Sequence, residues 1–287
     1  MKGLVLSGSR SSLTSGIAPR ACVPRPGASG RRHCGRIVMA MGLLDSWTEG
    51  SHTADGITRP TYRQGSGPGV IVVHEIPGIT PGVVGFAEKV VARGFTVVLP
   101  SLFGRPGGPA SVGESLRSIA GICVSKEFSL FALGRTTGAA PWLRSLARTL
   151  HDELGGPGVG AVGMCFTGGF ALAMLADAPI AAPVLAQPAS PAPLGRARAA
   201  DLGLSPADLT AVKDKVSAGC QVLGLRYDRD PAVGTRFDSL RRELGDGFIA
   251  VEFPGRQHST LTEHLQPEGV ERVLGFLEEK LTAATRS

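Results

Sequence analysis

The chain reads as an α/β protein, with a mostly parallel central sheet and helices on both faces. Two observations carry that reading. From about residue 57 short β-rich runs alternate with longer amphipathic stretches, which is the pattern of successive βαβ units. The short runs are also apolar almost throughout, as strands buried on both faces must be. A length of 287 residues with 43% hydrophobic content allows one large core, and α/β chains of this size are often single domains.

In order along the chain, the expected strands are residues 69–74 (GVIVVH), 95–99 (FTVVL), 159–164 (VGAVGM), 181–186 (AAPVLA), 220–226 (CQVLGLR) and 248–253 (FIAVEF). Helical periodicity places helices at 82–93, 141–154, 166–177, 206–214, 234–244 and 268–282. Pro141 and Pro267 fit helix starts, where the missing N–H costs nothing. The stretch from Phe103 to Ala140 is too long for an ordinary connection and holds a broken helical pattern around Val112 to Phe131. An insertion at the carboxyl edge of an open sheet lies where ligands bind. It reads as a lid or pocket wall, or equally as a structural cap.

The overall charge of +6 invites a nucleic-acid reading, but the first 40 residues distort it. They hold Lys2 and six arginines with no acid; without these seven the remaining 23 basic residues face 24 acidic ones. The globular part is therefore not basic, and no nucleic-acid partner is expected. Residues 1–44 read as a disordered extension and 45–287 as a single domain. Two readings of the extension stand. A Ser- and Arg-rich, acid-free start resembles an organellar transit peptide; the excess of 24 Arg over 6 Lys fits GC-rich coding, with Met39 or Met41 as the true start. The expected compartment is the cytoplasm, or an organelle on the transit-peptide reading. The apolar GLVLSGS at residues 3–9 breaks too soon for a secretory signal, and no run reaches the length of a membrane span.

Five cysteines stand at 22, 34, 123, 165 and 220, in separate contexts and without metal-ligand spacing. Two follow a glycine by two positions, Cys123 and Cys165, and a chain with 40 glycines produces about one such match by chance. Context separates them. Cys165 lies between the apolar run 159–164 and a small-residue helix, flanked by Gly163, Gly168 and Gly169, the arrangement of a nucleophile elbow. Cys123 has no such strand before it. The competing reading of Cys165 is a small buried hydrophobe.

A cysteine nucleophile needs a base, because a free thiol is only a few per cent thiolate at neutral pH. His258, in FPGRQHS after the last strand, falls on the same sheet edge. The acid that orients the imidazole should follow the preceding strand. Asp228 and Asp230 both qualify, with helix capping as the alternative role for Asp230. The order nucleophile, acid, histidine is that of α/β-hydrolases.

Taken together, the HEIPGI loop at 74–79, Leu99 to Phe103, the GMCFTGG elbow, the D-P-x-V segment and the FPGRQHS loop resemble the dienelactone hydrolase family over roughly residues 55–284. The resemblance implies the α/β-hydrolase fold and an ester-bond hydrolase of the carboxymethylenebutenolidase kind. It implies Cys165 as nucleophile, His258 as base, Asp230 as orienting acid, and Glu75 as a carboxylate that meets the resting thiol and is displaced by substrate. Backbone N–H groups of Ile76 and Phe166 are the expected oxyanion donors, one such donor being worth about 3 kcal/mol.

Two positions depart from the family pattern. Thr167 stands two residues after the nucleophile, where glycine is usual, so the turn is expected to be tight but not identical. Thr262 stands four residues after His258, where dienelactone-specific enzymes carry the arginine that holds the substrate carboxylate. Arg105, Arg117, Arg135 and Arg256 are the candidate replacements, and Phe103, Arg105 and Arg117 the expected substrate contacts. The expected function is hydrolysis of a reactive lactone or activated ester through an acyl-cysteine, since thiolate leaves so readily that a nucleophilic alcohol product reverses the acylation. The alternative is a non-catalytic or redox-sensing binding protein on the same fold. No cofactor or metal is expected. The expected partner is a small-molecule ester or lactone, with no membrane association and a monomeric or weakly oligomeric state.

Overall fold

A computed structural model describes residues 42–124, 133–189 and 195–282, the backbone alone for 121–124. The expected extension at 1–44 therefore lies outside the described residues, save its last three positions. There Leu43 and Leu44 pack, half-buried, against the core. The middle of the insertion, 125–132, is also outside them.

Eight strands form one sheet in the order β1-β2-β4-β3-β5-β6-β7-β8. Its heart is parallel: β3 (Gly69–Val73), β4 (Thr96–Pro100), β5 (Val159–Met164), β6 (Ile180–Ala186), β7 (Val222–Tyr227) and β8 (Phe248–Phe253). All six fall within two residues of their expected positions. Every residue of β3, β4 and β5 is buried, which is why these segments are apolar without alternation. The pleat still sorts side chains between two cores. Ile71 and Val73 face one cluster, Val70 and Val72 the other.

The first cluster is closed by α3 (Ala140–Leu154), α4 (Gly168–Asp177), α6 (Pro206–Ser217) and α7 (Arg236–Leu244), the second by α1 (Pro81–Ala92) and α8 (Pro267–Thr282). Local chemistry sets their starts. Thr80 caps α1 by accepting from the Val83 N–H, with Pro81 in the first turn, and Ser205 does the same for α6 through Asp208. Two further helices, α2 (Val112–Val124) and the short α5 (Arg196–Ala200), lie in loops at the carboxyl side of the sheet. Cys123 belongs to α2, with no strand leading into it. Among the described residues no helix is long and apolar enough to cross a membrane.

Sequence reasoning missed the antiparallel edge, β1 (Thr48–Ala54) and β2 (Ile57–Gln64), the second pairing with β4. Both are polar, β1 largely exposed and β2 partly so, and they carry no apolar run. The signal was the Asp55-Gly56 pair between them. Both residues adopt positive φ, 51° and 75°, as a two-residue hairpin turn of the type I′ demands.

Chain order reverses at β3, which stands between β4 on one side and β5 on the other. Ligand sites of open α/β sheets form in the crevice at the carboxyl ends of strands where the order reverses. Here that crevice lies between the residues after Val73 and those after Met164. One wall is set by a close approach of loops: at Gly104, with φ of 75°, an added Cβ would lie 1.9 Å from the Pro77 carbonyl oxygen.

Gly56 has the same φ of 75° with nothing within 4 Å of an added Cβ, so the pair separates backbone strain from collision. Gly104→Ala is expected to lower stability by about 1–3 kcal/mol more than Gly56→Ala. Thermal unfolding of the two variants measures the difference; equal melting temperatures would contradict it.

Candidate active site

The elbow follows directly from β5. Cys165 opens a single 3-10 turn, Cys165–Thr167, with φ of 54°, a left-handed conformation that is rare outside glycine and held only when its surroundings require it. Gly163 permits the turn to close, since a Cβ there would meet the Thr167 carbonyl oxygen at 2.2 Å. The expected irregularity at Thr167 is a clamp. Its hydroxyl is fully buried, accepts from the Met164 N–H at 3.0 Å, and has the carbonyls of Val73 (3.0 Å), His74 (3.2 Å) and Met164 (2.9 Å) within reach of its one hydrogen. One side chain thus ties the end of β3 to the elbow.

After β3, His74 is wholly buried. Its Nε2 accepts from the Leu102 N–H at 3.1 Å, so Nδ1 carries the hydrogen and donates to the Glu75 carbonyl at 3.0 Å. Burial, with a smaller contribution from Arg59, lowers its pKa to about 4 against the opposing hydrogen bond to Glu75. His74 is therefore a neutral strut between the ends of β3 and β4.

Glu75 is buried next to it, and its carboxylate is held by three neutral donors. Thr262 donates to Oε1; Ser259 (2.9 Å) and the Gln187 amide (3.4 Å) donate to Oε2. Burial pushes the carboxyl above its usual range, while these bonds and the nearby His258 hold it back. Gln187 is itself fixed, accepting from both the N–H and the hydroxyl of Thr260, at 3.0 and 2.6 Å.

His258 lies half-buried on the loop after β8. Its Nδ1 is 2.6 Å from Asp230 Oδ2, and the other Asp230 oxygen accepts from the Ala232 N–H at 2.9 Å. The competing acid, Asp228, accepts from the Gly255 N–H at 2.8 Å and supports the loop instead. Burial alone would lower the His258 pKa, but hydrogen bonds to Asp230 and Cys165 and the charges on both raise it to about 10. Ligand atoms of Cys165, His258 and Glu75 all lie within 4.8 Å of one another.

The structure thus brings together Cys165, His258, Asp230 and Glu75, with Ile76 and Phe166 immediately after Glu75 and Cys165 in the chain. Phe103 lies beside them, edge-on to His74 at 4.5 Å and 6.2 Å from Phe166, whose ring meets Phe170 at 5.1 Å. The arginines fall elsewhere. Arg117 is 77% exposed and paired with Glu114 at 2.7 Å; Arg105 is exposed beside a shallow depression with Gly78, Thr80 and Pro109. Arg135 and Arg256 are exposed too. Sequence reasoning missed Gln187 and Ser259, and it missed Arg236. This buried cation at the start of α7 donates to the carbonyls of Ala232, Val233 and Arg198; burial lowers its pKa and the Asp201 charge opposes that.

Comparison with known proteins gives a family match: the sequence profile described as the dienelactone hydrolase family covers residues 57–215. No curated protein sequence matches the chain. Among solved structures, a protein assigned as a dienelactone hydrolase from Klebsiella pneumoniae subsp. pneumoniae MGH 78578 has TM-score 0.59 and 16% identity, covering 83% of this chain and 98% of that one. A cold-adapted esterase from an Arctic intertidal metagenomic library has TM-score 0.54 and 18% identity, covering 82% and 95%. A dienelactone hydrolase-like promiscuous phosphotriesterase from metagenomic libraries has TM-score 0.55 and 16% identity, covering 82% and 98%. At these identities the likeness shows the fold.

The neutral His74 makes stability depend on acid. Its folded pKa of about 4 lies below the unfolded 6.5, so between those values the unfolded chain binds the proton and the folded chain does not. The stabilisation is whole above about pH 6.5 and falls by about 3 kcal/mol by pH 4. His74→Gln should remove that part of the pH slope in denaturant titrations at successive pH values; an unchanged slope would contradict the neutral strut.

Proposed function

The chain belongs to the dienelactone hydrolase family and is a hydrolase of ester bonds, and from that premise we propose that Cys165 is its nucleophile, with His258 as base and Asp230 as the acid that orients it. The observation that supports this best is the 2.6 Å contact between His258 Nδ1 and Asp230 Oδ2, with the Cys165 sulfur within 4.8 Å of the same ring. Asp230 fixes the ring and stabilises its cation.

In this reading the Cys165 sulfur attacks the ester carbonyl, the C=O electron pair moves onto oxygen, and the N–H groups of Phe166 and Ile76 hold the oxyanion. When the tetrahedral intermediate collapses, the C–O bond breaks and His258 gives its Nε2 proton to the leaving oxygen. The neutral ring then takes a proton from water, whose hydroxide cleaves the acyl-cysteine and regenerates the pair. Because thiolate is a good leaving group, net hydrolysis favours products that do not attack back, such as enolates and phenolates.

The substrate we assign is a neutral aryl or enol ester or lactone. Thr262 is bonded to Glu75 and offers no charge to a substrate carboxylate, while Phe103, Phe166 and Phe170 supply an aromatic surface suited to a flat acyl group. Displacement of Glu75 would break three hydrogen bonds at once, so we read it as a fixed carboxylate. Catalysis is assigned to the unit after residue 44.

The test is turnover of a neutral aryl acetate with mass analysis of the quenched enzyme. Release of phenolate together with an acetyl adduct on Cys165 is expected. Cys165→Ala should abolish both, and Asp230→Asn should lower kcat by two orders of magnitude or more. An anionic analogue should be a poorer substrate than its neutral counterpart. No adduct on Cys165, or activity untouched in Cys165→Ala, would contradict the assignment.

A further inference from the structure

Beyond hydrolysis, we propose that Cys165, His258 and Glu75 form a reversible inhibitory site for a zinc ion. Three donors of different kinds converge there, from the ends of β3 and β5 and the loop after β8. Their ligand atoms lie within 4.8 Å of one another. A tetrahedral zinc ion with bonds of about 2.0–2.3 Å sets its ligand atoms about 3.5 Å apart. Closing the rest takes a contraction of roughly 1 Å, within the reach of side-chain torsions.

The donor chemistry selects the metal. One sulfur, one imidazole nitrogen and one carboxylate oxygen form a set for a borderline cation such as zinc, whereas magnesium and calcium require oxygen ligands. Three protein ligands leave the fourth tetrahedral position to water. Charge also balances: thiolate and carboxylate with neutral imidazole cancel the two charges of the ion, so the filled site is neutral.

The supporting contacts around the ligands are those a zinc site needs. A histidine that binds zinc through one nitrogen is normally oriented by a carboxylate on the other; Asp230 holds Nδ1 at 2.6 Å and leaves Nε2 towards Cys165. Carboxylate ligands are likewise fixed by donors. Thr262, Ser259 and Gln187 donate to Glu75, occupying three of the roughly four acceptor positions of a carboxylate and leaving one for a metal. Thr262, the departure from the family pattern, thereby holds the third ligand in place.

Binding forms Zn–S, Zn–N and Zn–O bonds, releases the Nε2 proton of His258 to solvent, and strips all but about one water from the ion. No electron changes hands. The metal occupies the sulfur and nitrogen lone pairs that the proposed hydrolysis uses, so hydrolysis stops until a chelator removes it. The inhibition rests on the catalytic reading above; the binding does not.

The full chain would be titrated with zinc chloride against a chromophoric chelator. One zinc per chain is expected, with affinity reduced at least 100-fold in Cys165→Ala and about 10-fold or more in Thr262→Val. Cobalt in place of zinc should give a thiolate-to-cobalt charge-transfer band that Cys165→Ala loses. Should either variant fold poorly, wild type alone decides: zinc should protect Cys165 from iodoacetamide, EDTA should restore its reactivity, and Cys220, half-buried, serves as the internal reference. Magnesium should give no protection. Zinc binding indifferent to Cys165→Ala, or no protection of Cys165, overturns the site. Hydrolysis through Cys165 that persists with zinc in excess overturns the inhibition and leaves the catalytic reading standing. Zinc binding that needs Cys165, with the charge-transfer band in the cobalt form but no ester turnover, supports the site and counts against the catalytic reading.

Discussion

A buried carboxylate at the point where the sheet changes direction is the constraint on which the rest of the site depends. An ionisable group without water must find hydrogen-bond donors or cost several kcal/mol. Glu75 finds them in residues from two other parts of the chain: Gln187 after β6, and Ser259 and Thr262 beyond His258. Satisfying one side chain therefore fastens the loop after β8 to the end of β3. His258 lies on that fastened loop, and its arrival beside Cys165 is a consequence.

The remaining strand ends join through equally local demands. Thr167 ties β5 to β3 with a hydroxyl that a glycine could not supply, while Gly163 leaves the room that the turn needs. Gln187 receives its backbone partner from β7, through the Leu225 carbonyl at 2.6 Å. Asp230, after β7, completes the ring by fixing His258. Each of the five parallel strands from β3 through β5, β6, β7 and β8 thus contributes one anchored group to the same edge. The thiol chemistry we propose requires this rigidity, since charge on sulfur is useful only where an opposite charge is held close.

Much of the architecture was legible because its signals are apolar and periodic. Strands such as VGAVGM and helices closed by Thr80 or Ser205 follow from burial and capping, which are written locally. The β1-β2 hairpin escaped because its residues are mostly polar and form no apolar run, although Asp55-Gly56 marked its turn. Within the site, residues with an ionisable or nucleophilic group were legible by order along the chain. Gln187, Ser259, Thr262 and Thr167 were not read as a network: hydroxyls and amides are common, and only the three-dimensional approach to Glu75 or to Val73 gives them a task. The arginines of the insertion misled for the opposite reason. A charge is conspicuous in a sequence, yet Arg117 is paired with Glu114 at the surface, whereas the quiet Arg236 is buried near the elbow.

The central proposal is that His258 activates Cys165 before substrate arrives, because Asp230 and Glu75 are both already held. The rate at which iodoacetamide alkylates Cys165, followed by peptide mass between about pH 5 and 9, reads it directly. The proposal predicts alkylation of Cys165 faster than that of the half-buried Cys220, and a rate lowered at least about tenfold at neutral pH in His258→Ala. A wild-type rate no faster than that of Cys220 and unchanged by His258→Ala would contradict it.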